Sequence, residues 1–418
     1  MPITRVCIAS ETFLPLIGGS EKQAFLQSKC LRERGMETTI ITMHFQRECP
    51  VYEVLEGVPV LRVARGILIW RDLLPGVLRR FCYLLALSVL GWQLWQRRHT
   101  YDILHVFQFS LFTLPALFVC RLAHKPLVVG MRNDSPLSQR GRRAHSWSDL
   151  DGLAHLGRPV LRLINHQLWL AQARILVLST HMRSSLKHYG LDGAITHLLP
   201  NGVDIARFTP HPEHEEPLTV VCVARFRHQK GIDVLLCAWS LLVEQLPAAR
   251  LLLVGDGPLF ASLQRLVEEL KITDSVEFVG MCANVAQQYQ RGSIAVLPSR
   301  WEGMPNALLE AMACGRACVA TRVSGSADLL FREEHGLLVE PEDRNGLAAA
   351  LWLLLTDPEL VRRYGQAARQ HVEQHYTLPR LMDKQQELYE DLLMHYHQKK
   401  GLRKIDKKWR ENHKKEIA

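Results

Sequence analysis

The chain has 418 residues, more than one ordinary hydrophobic core accommodates, so its length predicts two domains. Hydrophobic residues make up 47% and charged residues 22%, a composition that is typical of globular proteins and excludes a disordered chain. The net charge of +9 is uneven. Lys and Arg outnumber Asp and Glu by 25 to 14 in residues 1–210 and by 9 to 3 in residues 399–418, whereas residues 211–398 have 17 against 25. A basic first half and tail predict an anionic partner, either membrane phosphates or nucleic acid.

The cysteines and histidines give no sign of a metal site. Ten cysteines are scattered through apolar segments without a CxxC pair, and the nineteen histidines lack zinc-binding spacing. This pattern predicts a reduced, cytoplasmic chain with buried thiols and no metal. Met1 leads straight into a strand-like segment, ITRVCIAS, so no cleavable leader is expected.

Strand-like and helix-like segments alternate along the chain, which is the pattern of a doubly wound parallel sheet. The strands predicted in the first half are TRVCIAS, TTIITM, VPVLRV, DILHVF, PLVVGM, RILVLS and ITHLLP. Residues 200–217 are rich in Pro, Asn, Gly and acids and form the predicted linker. The second series is LTVVCVA, ARLLLVGD, SVEFVG, IAVLPS, ACVATR and GLLVE. Two α/β domains in tandem leave a cleft between them, a preferred place for a ligand.

The predicted domain boundaries follow these patterns. They are 1–200 for the first domain, 201–377 for the second, 378–398 for an amphipathic C-terminal helix and 399–418 for a basic, flexible tail.

Residues 81–95 form a nearly uninterrupted apolar run, FCYLLALSVLGWQLW, with two arginines on each side. The run is shorter than the roughly 20 residues that span a bilayer, and it lies between two strands of one predicted sheet. It is therefore either a buried crossover helix or a helix whose Trp and Arg rims touch a membrane interface. The basic tail could add attraction to anionic lipid, or be an ordinary solvated tail.

Residues 299–321 read as the end of a buried strand, a short loop and a helix that Asn306 is predicted to cap. Glu302 falls in the loop and Glu310 in the first turns of the helix. Because helical side chains lean toward the N-terminus, both carboxylates are expected to face one crevice at the carboxyl edge of the sheet. The alternative is that Glu302 and Glu310 are merely a helix-capping acid and a surface acid. The two glutamates alone do not distinguish these interpretations, so the neighbouring segments must.

Several cationic or glycine-containing segments follow other predicted strands. Gly18 and Gly19 follow the first strand, with Ser20 expected to cap the next helix, and such glycines let backbone amides approach a phosphate. Arg225 and Lys230 follow the first strand of the second domain, where a guanidinium and an ammonium suit a diphosphate. Gly257 lies after the next strand, where glycine permits close approach. The alternative for the glycine pair is an ordinary tight turn, and the alternative for Arg225 and Lys230 is a pair of surface charges.

One kind of ligand accounts for all of these positions. A nucleotide sugar has a ribose diol, which suits Glu310, and a sugar ring, which suits Glu302. Its diphosphate suits Arg225, Lys230 and the amides near Gly19.

The segments GGSEK, PNGVD, VARFRHQKGID, VGDGP and SRWEGMPNALLEAMACG, in this order, resemble the retaining, GT-B-fold glycosyltransferase family of group one. The resemblance implies two Rossmann-like, doubly wound parallel-sheet domains facing across a cleft, with a C-terminal helix returning to the first domain. It implies that the first domain binds the acceptor and the second the nucleotide-sugar donor, with transfer that retains anomeric configuration and needs no metal or other cofactor.

Residue by residue, the resemblance implies a catalytic role for Glu302, Arg225 and Lys230. The donor-binding positions that it implies are Gly18, Gly19, Arg225, Lys230, Gly257, Glu302, Gly303, Met304, Pro305, Asn306 and Glu310.

The sequence departs from the family pattern at one place. After the fifth strand many members have a His that touches the donor sugar, whereas this chain reads GMRNDSP. Arg132 or Asp134 is a candidate replacement for an acceptor or sugar contact, although either residue could be purely structural. Asp149 and Asp151 form a DLD that lacks the flanks of the metal-binding motif of the other glycosyltransferase fold.

The predicted function is therefore sugar transfer from a nucleotide sugar, with UDP, GDP or ADP as the carrier, to a glycan or lipid-linked acceptor. The setting would be cell-surface polysaccharide synthesis at the cytoplasmic face of a membrane, with the chain peripheral on an anionic surface. The alternatives are a nucleotide-sugar epimerase of the same fold and a glycan-binding protein without catalysis. A glycosidase leaves the basic pair unexplained, and no segment resembles a nucleic-acid-binding module.

Overall fold

The computed structural model describes residues 4–15, 18–68, 76–132, 166–188 and 196–413. Its architecture is two doubly wound domains, each with a central sheet between layers of helices, which confirms the predicted fold class.

The first domain contains an eight-stranded sheet in the order β3-β4-β2-β1-β5-β6-β7-β8, and only the β3–β4 pair is antiparallel. Its strands are β1 (Arg5–Ser10), β2 (Glu37–Met43), β3 (Tyr52–Leu55), β4 (Val58–Val63), β5 (Ile103–Val106), β6 (Leu127–Met131), β7 (Arg174–Val177) and β8 (Thr196–Leu198). The sequence patterns missed β3. It pairs with β4 through a two-residue turn in which Glu56 and Gly57 both have positive φ, and the Glu-Gly pair was the available signal.

The second domain contains six strands, all parallel, in the order β11-β10-β9-β12-β13-β14. They are β9 (Thr219–Val223), β10 (Arg250–Val254), β11 (Val276–Gly280), β12 (Ile294–Leu297), β13 (Ala317–Thr321) and β14 (Leu337–Val339). Counted from β9, this is the strand order of a Rossmann fold. The direction of winding reverses between β9 and β12, so the loops that leave these two strands border a crevice.

The α-helices with defined bounds are α1 (Gly19–Glu33), α2 (Arg65–Leu68), α3 (Gly76–Gln96), α4 (Thr113–Ala123), α5 (Thr180–His188), α6 (Ile232–Val243), α7 (Phe260–Glu269), α8 (Val285–Arg291), α9 (Asn306–Ala313), α10 (Ser324–Leu329), α11 (Arg344–Thr356), α12 (Pro358–His375) and α13 (Leu378–His413). Parallel strands covered on both faces are apolar throughout, and every residue of β6 and β13 is buried. In the first domain α3 and α4 pack on one face of the sheet, and α1 packs on the other.

The C-terminal helix α13 returns to the first domain and packs beside α1, as predicted. It continues to His413, past the helix end predicted at residue 398. Lys, Arg and Glu are good helix formers, which explains why the basic segment can continue the helix.

The two crossings between the domains run side by side. Val203 in the linker donates its amide to the carbonyl of Tyr376 at 2.9 Å, and Leu378 donates to the carbonyl of Val203 at 3.0 Å. A Cβ on Gly202 would lie 2.8 Å from the Cα of Leu378, so this close approach requires glycine.

Candidate functional site

The crevice of the second domain is bordered by the loop after β9 and the loop between β12 and α9. Two hydrogen bonds join these loops. The amide of Arg300 donates to the carbonyl of Gln229 at 2.8 Å, and the side-chain amide of Gln229 donates to the carbonyl of Trp301 at 2.9 Å. The loops therefore present their side chains as one unit.

Glu302 is buried at the centre of this unit. Its Oε1 accepts a hydrogen bond from the Ser299 hydroxyl at 2.6 Å and lies 2.5 Å from Nζ of Lys230. The hydroxyl of Thr321 in turn donates to the Ser299 carbonyl. The structure thus brings together two residues that the sequence predicted for one site, and it fixes the carboxylate from the strand side.

Arg225 lies exposed in the same loop as Lys230. The pKa of its guanidinium is lowered by partial desolvation and by the neighbouring Arg227, while Glu21 of α1 acts in the opposite direction. Glu21 belongs to the first domain, so the charges that act on Arg225 come from both domains.

Gly257 contributes to the crevice indirectly. A Cβ at this position would lie 2.6 Å from the carbonyl oxygen of Phe226, and Phe226 donates its amide to the carbonyl of Asp256 at 2.9 Å. The loop after β10 thus packs tightly against the loop that holds Arg225. The predicted approach of Gly257 to a donor stays a prediction.

Glu310 is buried on α9, and its partner comes from the other domain. Nζ of Lys22, on α1, lies 3.2 Å from Oε1 of Glu310. Burial raises the pKa of the Glu310 carboxyl, and the Lys22 ammonium partly opposes that rise. A pocket beside this ion pair is lined by side chains of both domains and the linker, including Lys22, Gln23, Arg207, Phe208, Asn306 and Glu310.

Asn306 is not the N-cap that its residue type predicted. Pro305 occupies the cap with an extended backbone, and Asn306 is the first residue of α9. The Asn306 side chain crosses the cleft instead, because its Nδ2 donates to the carbonyl of Gly19 at 3.1 Å. Its Oδ1 accepts from Nδ2 of Asn201 at 2.8 Å. Tertiary partners have replaced the local capping bond.

The glycine turn lies directly opposite. Gly18 is the N-cap of α1 and Gly19 its first residue, so the predicted capping role of Ser20 is wrong. Ser20 already lies within the helix, where its hydroxyl donates to Glu21 at 3.0 Å. The bond from Asn306 to Gly19 brings the N-termini of α1 and α9 together, and the positive ends of both helix dipoles favour an anion between them.

The remaining residues of the loop before α9 fix its backbone. Met304 is buried, and its sulfur and carbonyl accept hydrogen bonds from the backbone and side chain of Asn201, each at 3.3 Å. The carbonyl of Gly303 lies so close to Gly325 that a Cβ there would approach it to 2.3 Å. This packing holds the segment before α9 in place.

Arg132 is committed to structural contacts. Its Nη1 donates to Oδ1 of Asn201 at 3.0 Å, its Nε donates to the carbonyl of Phe107 at 3.2 Å, and its guanidinium lies 3.8 Å from the centre of the Phe107 ring. Burial lowers its pKa to about 9. Arg132 therefore reaches the cleft through Asn201. Asp134, Asp149 and Asp151 lie outside the described residues.

Four residues at the site were not singled out from the sequence: Lys22, Gln23, Asn201 and Ser299. Lys22 and Asn201 belong to the segments GGSEK and PNGVD, but nothing in either segment indicates which distant residue each side chain contacts. Gln23 donates to the carbonyl of Gly202 at 2.8 Å, a contact that only the fold creates.

One compact group of potential metal ligands occurs in the described part of the chain, at positions that the sequence patterns did not single out. His211, Glu213 and His214 lie on the linker with their ligand atoms within 4.8 Å of one another. The His211 ring and the Glu213 carboxylate contact at 2.8 Å, and Glu213 and His214 are exposed.

Two family models match this chain. Glycosyltransferase Family 4 matches residues 17–207, and Glycosyl transferases group 1 matches residues 205–371. The two matches meet in the linker and together contain every described cleft residue named above. The chain belongs to the group 1 glycosyltransferase family.

Similar proteins agree with this membership. The N-acetyl-alpha-D-glucosaminyl L-malate synthase of Bacillus anthracis is 35% identical over 179 residues, 43% of this chain and 47% of that protein. One of the subunits of the phosphatidylinositol N-acetylglucosaminyltransferase of Homo sapiens is 26% identical over 357 residues, 84% of this chain and 69% of that protein. For four of the curated relatives, the Bacillus protein included, the match spans less than half of the relative's length.

Solved structures share the fold at low identity. The sucrose-phosphate synthase of Thermosynechococcus elongatus has a TM-score of 0.77 at 22% identity, with 94% of this chain and 99% of that chain covered. The Anabaena protein HepE, solved with UDP and glucose, has a TM-score of 0.72 at 18% identity, with 93% and 100% covered. These likenesses show that this chain has the GT-B fold.

Proposed function

We propose that this group 1 glycosyltransferase transfers a sugar from a nucleoside diphosphate sugar to a hydroxyl of a glycan or lipid-linked acceptor, with retention and without a metal. The observation that carries the proposal is the meeting of the Lys230–Glu302 pair, Arg225 and two helix N-termini at one cleft. Cations and helix N-termini suit a diphosphate, and buried carboxylates suit sugar hydroxyls.

In the proposed step, the acceptor oxygen bonds to the anomeric carbon while the bond from that carbon to the diphosphate breaks. Both electrons of the broken bond leave with the diphosphate, and the acceptor proton passes to a diphosphate oxygen on the same face. Lys230 and Arg225 stabilise the charge that develops there. Lys230 exchanges its contact with Glu302 for the phosphate, and Glu302 keeps its hydrogen bond from Ser299 while it contacts the sugar.

Glu310 is the proposed anchor for the ribose. A carboxylate accepts hydrogen bonds from both hydroxyls of a diol, and the nearby Lys22 favours the ionised form despite burial. The substitution Glu310→Gln preserves shape but removes the charge, so the Kd for a nucleoside diphosphate should rise at least tenfold, or about 1.4 kcal/mol. Calorimetry with UDP, GDP and ADP measures this, and UDP comes first because HepE was solved with it.

The catalytic proposal is tested by turnover of Arg225→Ala and Lys230→Ala. Loss of a preorganised charge partner should reduce turnover roughly 100-fold or more, as with oxyanion-hole donors. Arg227→Ala is the matched control, because Arg227 is an exposed arginine of the same loop. Unchanged turnover in both variants would refute the assignment. Activity that survives EDTA and a product with the donor's anomeric configuration are expected, and sugar conversion without any acceptor would identify an epimerase instead.

The acceptor and compartment are part of the proposal. The relative named for phosphatidylinositol supports a lipid-linked acceptor. The ten free cysteines, of which seven are buried, suit a reducing cytoplasm. We therefore place the reaction at the cytoplasmic face of a membrane, with a donor from solution and an acceptor held at the lipid surface.

A further inference from the structure

The outward face of α3 is apolar. From Phe81 to Trp92 every exposed position is apolar except Ser88, and the exposed fractions are 64% for Phe81, 57% for Leu84 and 58% for Trp92. These positions recur at three- and four-residue spacing, so they form one stripe along the helix. A surface helix of a soluble domain normally turns polar residues toward water, and this stripe reverses that pattern.

The neighbouring elements continue the same surface. Leu114, Phe118 and Leu122 form a second exposed stripe along α4, with Phe118 65% exposed. A Cβ on Gly91 of α3 would lie 3.2 Å from the side chain of Pro115, which shows how closely the two helices approach. Beyond α4, residues 166–170 are helical and expose Trp169 and Leu170. A hydrogen bond from Arg121 of α4 to Gln167 joins this segment to α4. We call the exposed apolar side chains of α3, α4 and residues 166–170 the apolar face.

The inner side of α3 excludes a spanning orientation. Val77–Gln96 is long and apolar enough to cross a membrane by length and composition. However, Ala86, Leu90 and Leu94 are completely buried in the core of the first domain, and the Tyr83 hydroxyl donates to Glu11 at 2.7 Å. A helix fixed to the sheet along one side can only lie parallel to a surface on the other. Its 21 residues give a length of about 30 Å.

The charge around the apolar face selects the partner. Arg80 is exposed near the start of α3, and the exposed Arg121 lies between α4 and residues 166–170. Arg97 and Arg98 follow Trp92 and Trp95 at the far end of α3, where the Arg98 guanidinium lies 4.4 Å from the centre of the Trp95 ring. Apolar side chains bordered by Trp and Arg match the interfacial zone of a bilayer, and the arginines match anionic headgroups. All four of these charges have the same sign, which an anionic lipid surface matches over the whole face.

We infer that the apolar face docks this enzyme in the plane of an anionic bilayer, with α3 and α4 buried to the depth of the headgroups. α4 follows β5, and α2, which packs against α3, follows β4. Both strands end at the carboxyl edge of the first sheet, so the face starts beside the cleft. The docking itself does not depend on the proposed function. Its benefit does, because a docked enzyme would let a lipid-linked acceptor reach the cleft without leaving the membrane.

The test is flotation of the full chain with vesicles of phosphatidylcholine alone or with about 30% phosphatidylglycerol. Wild type should float with the anionic vesicles, and its partition should fall at least tenfold when salt is raised to about 1 M. The double substitution Phe81→Ser and Phe118→Ser should reduce partition at least tenfold. The matched control is Trp352→Ser with Leu353→Ser, two residues of α11 that are each 42% exposed, and it should stay within twofold.

Several results would overturn the inference. One is failure of the wild type to bind anionic vesicles at low salt, and a second is equal binding of the wild type to both vesicle types. A third is an equal loss of binding in the control and test variants. A dimer in light scattering that the test variant dissociates, without vesicle binding, would show instead that the face joins two copies. Thermal unfolding and UDP binding of the test variant should match wild type, so failure of docking is separable from failure of the proposed transfer.

Discussion

Asn201 connects three parts of the molecule, and its substitution tests how the cleft is held together. Its Oδ1 accepts from Arg132 of the first domain at 3.0 Å, while its Nδ2 donates to Oδ1 of Asn306 at 2.8 Å and to the carbonyl of Met304 at 3.3 Å. Asn306 continues the chain of bonds to Gly19. One buried amide thus links the end of β6, the donor loop and the glycine turn.

The two changes Asn201→Asp and Asn201→Ala separate these contacts. The aspartate side chain keeps an acceptor for Arg132 and gives it an opposite charge, but it replaces both Nδ2 bonds with oxygen facing oxygen. Loss of two neutral hydrogen bonds, at about 1 kcal/mol each, should favour cleft opening by roughly 2 kcal/mol, a shift of about 30-fold in the closed-to-open ratio. The alanine substitution also leaves the buried guanidinium of Arg132 with one partner fewer, so it should lower the free energy of unfolding by about 3 kcal/mol.

Small-angle scattering and guanidinium unfolding measure the two effects. Asn201→Asp should increase the radius of gyration and raise the KM for the donor, while its unfolding midpoint falls by less than that of Asn201→Ala, because its charge beside Arg132 offsets part of the loss. Asn201→Ala should shift the midpoint as well. Asn284→Asp is the control, because Asn284 is an exposed asparagine before α8 whose side chain makes no capping bond. Wild-type scattering and a wild-type KM in the Asn201→Asp variant would refute the idea that this amide holds the cleft closed.

Further predictions concern packing and pH. Gly257→Ala places a Cβ 2.6 Å from the Phe226 carbonyl and should lower the free energy of unfolding by roughly 1–3 kcal/mol in urea, whereas Gly66→Ala, where the space is open, should not; equal midpoints would contradict this. Desolvation, and then His335, lower the pKa of His371 to about 4, so the native state binds fewer protons than the unfolded state between pH 6.5 and 4. Stability is therefore full above pH 6.5 and falls with pH by up to roughly 1.4 kcal/mol per unit, and His371→Phe should flatten that dependence in denaturant titrations.

Most of the fold was predictable because buried parallel strands are apolar throughout and alternate with helices. All thirteen predicted strands occur, with ends that differ by one or two residues. The exception, β3, is a short edge strand with only a Glu-Gly turn to mark it, and the partly exposed YEVL lacks the apolar run of the others. Helix starts were less predictable, because capping residues such as Ser20 and Asn306 found other partners.

The sequence by itself determined the doubly wound class, the position of the loop between β12 and α9 and the residue types that suit the proposed nucleotide sugar. These follow from local patterns, since strand burial, glycine and charge at a strand's end are written in neighbouring residues. The tertiary structure alone decided the partners: Lys22 with Glu310, Asn306 with Gly19, and Arg132 with Asn201 rather than with open cleft. Each of these contacts joins residues at least 69 positions apart, so only the packing of the two domains and the linker creates them.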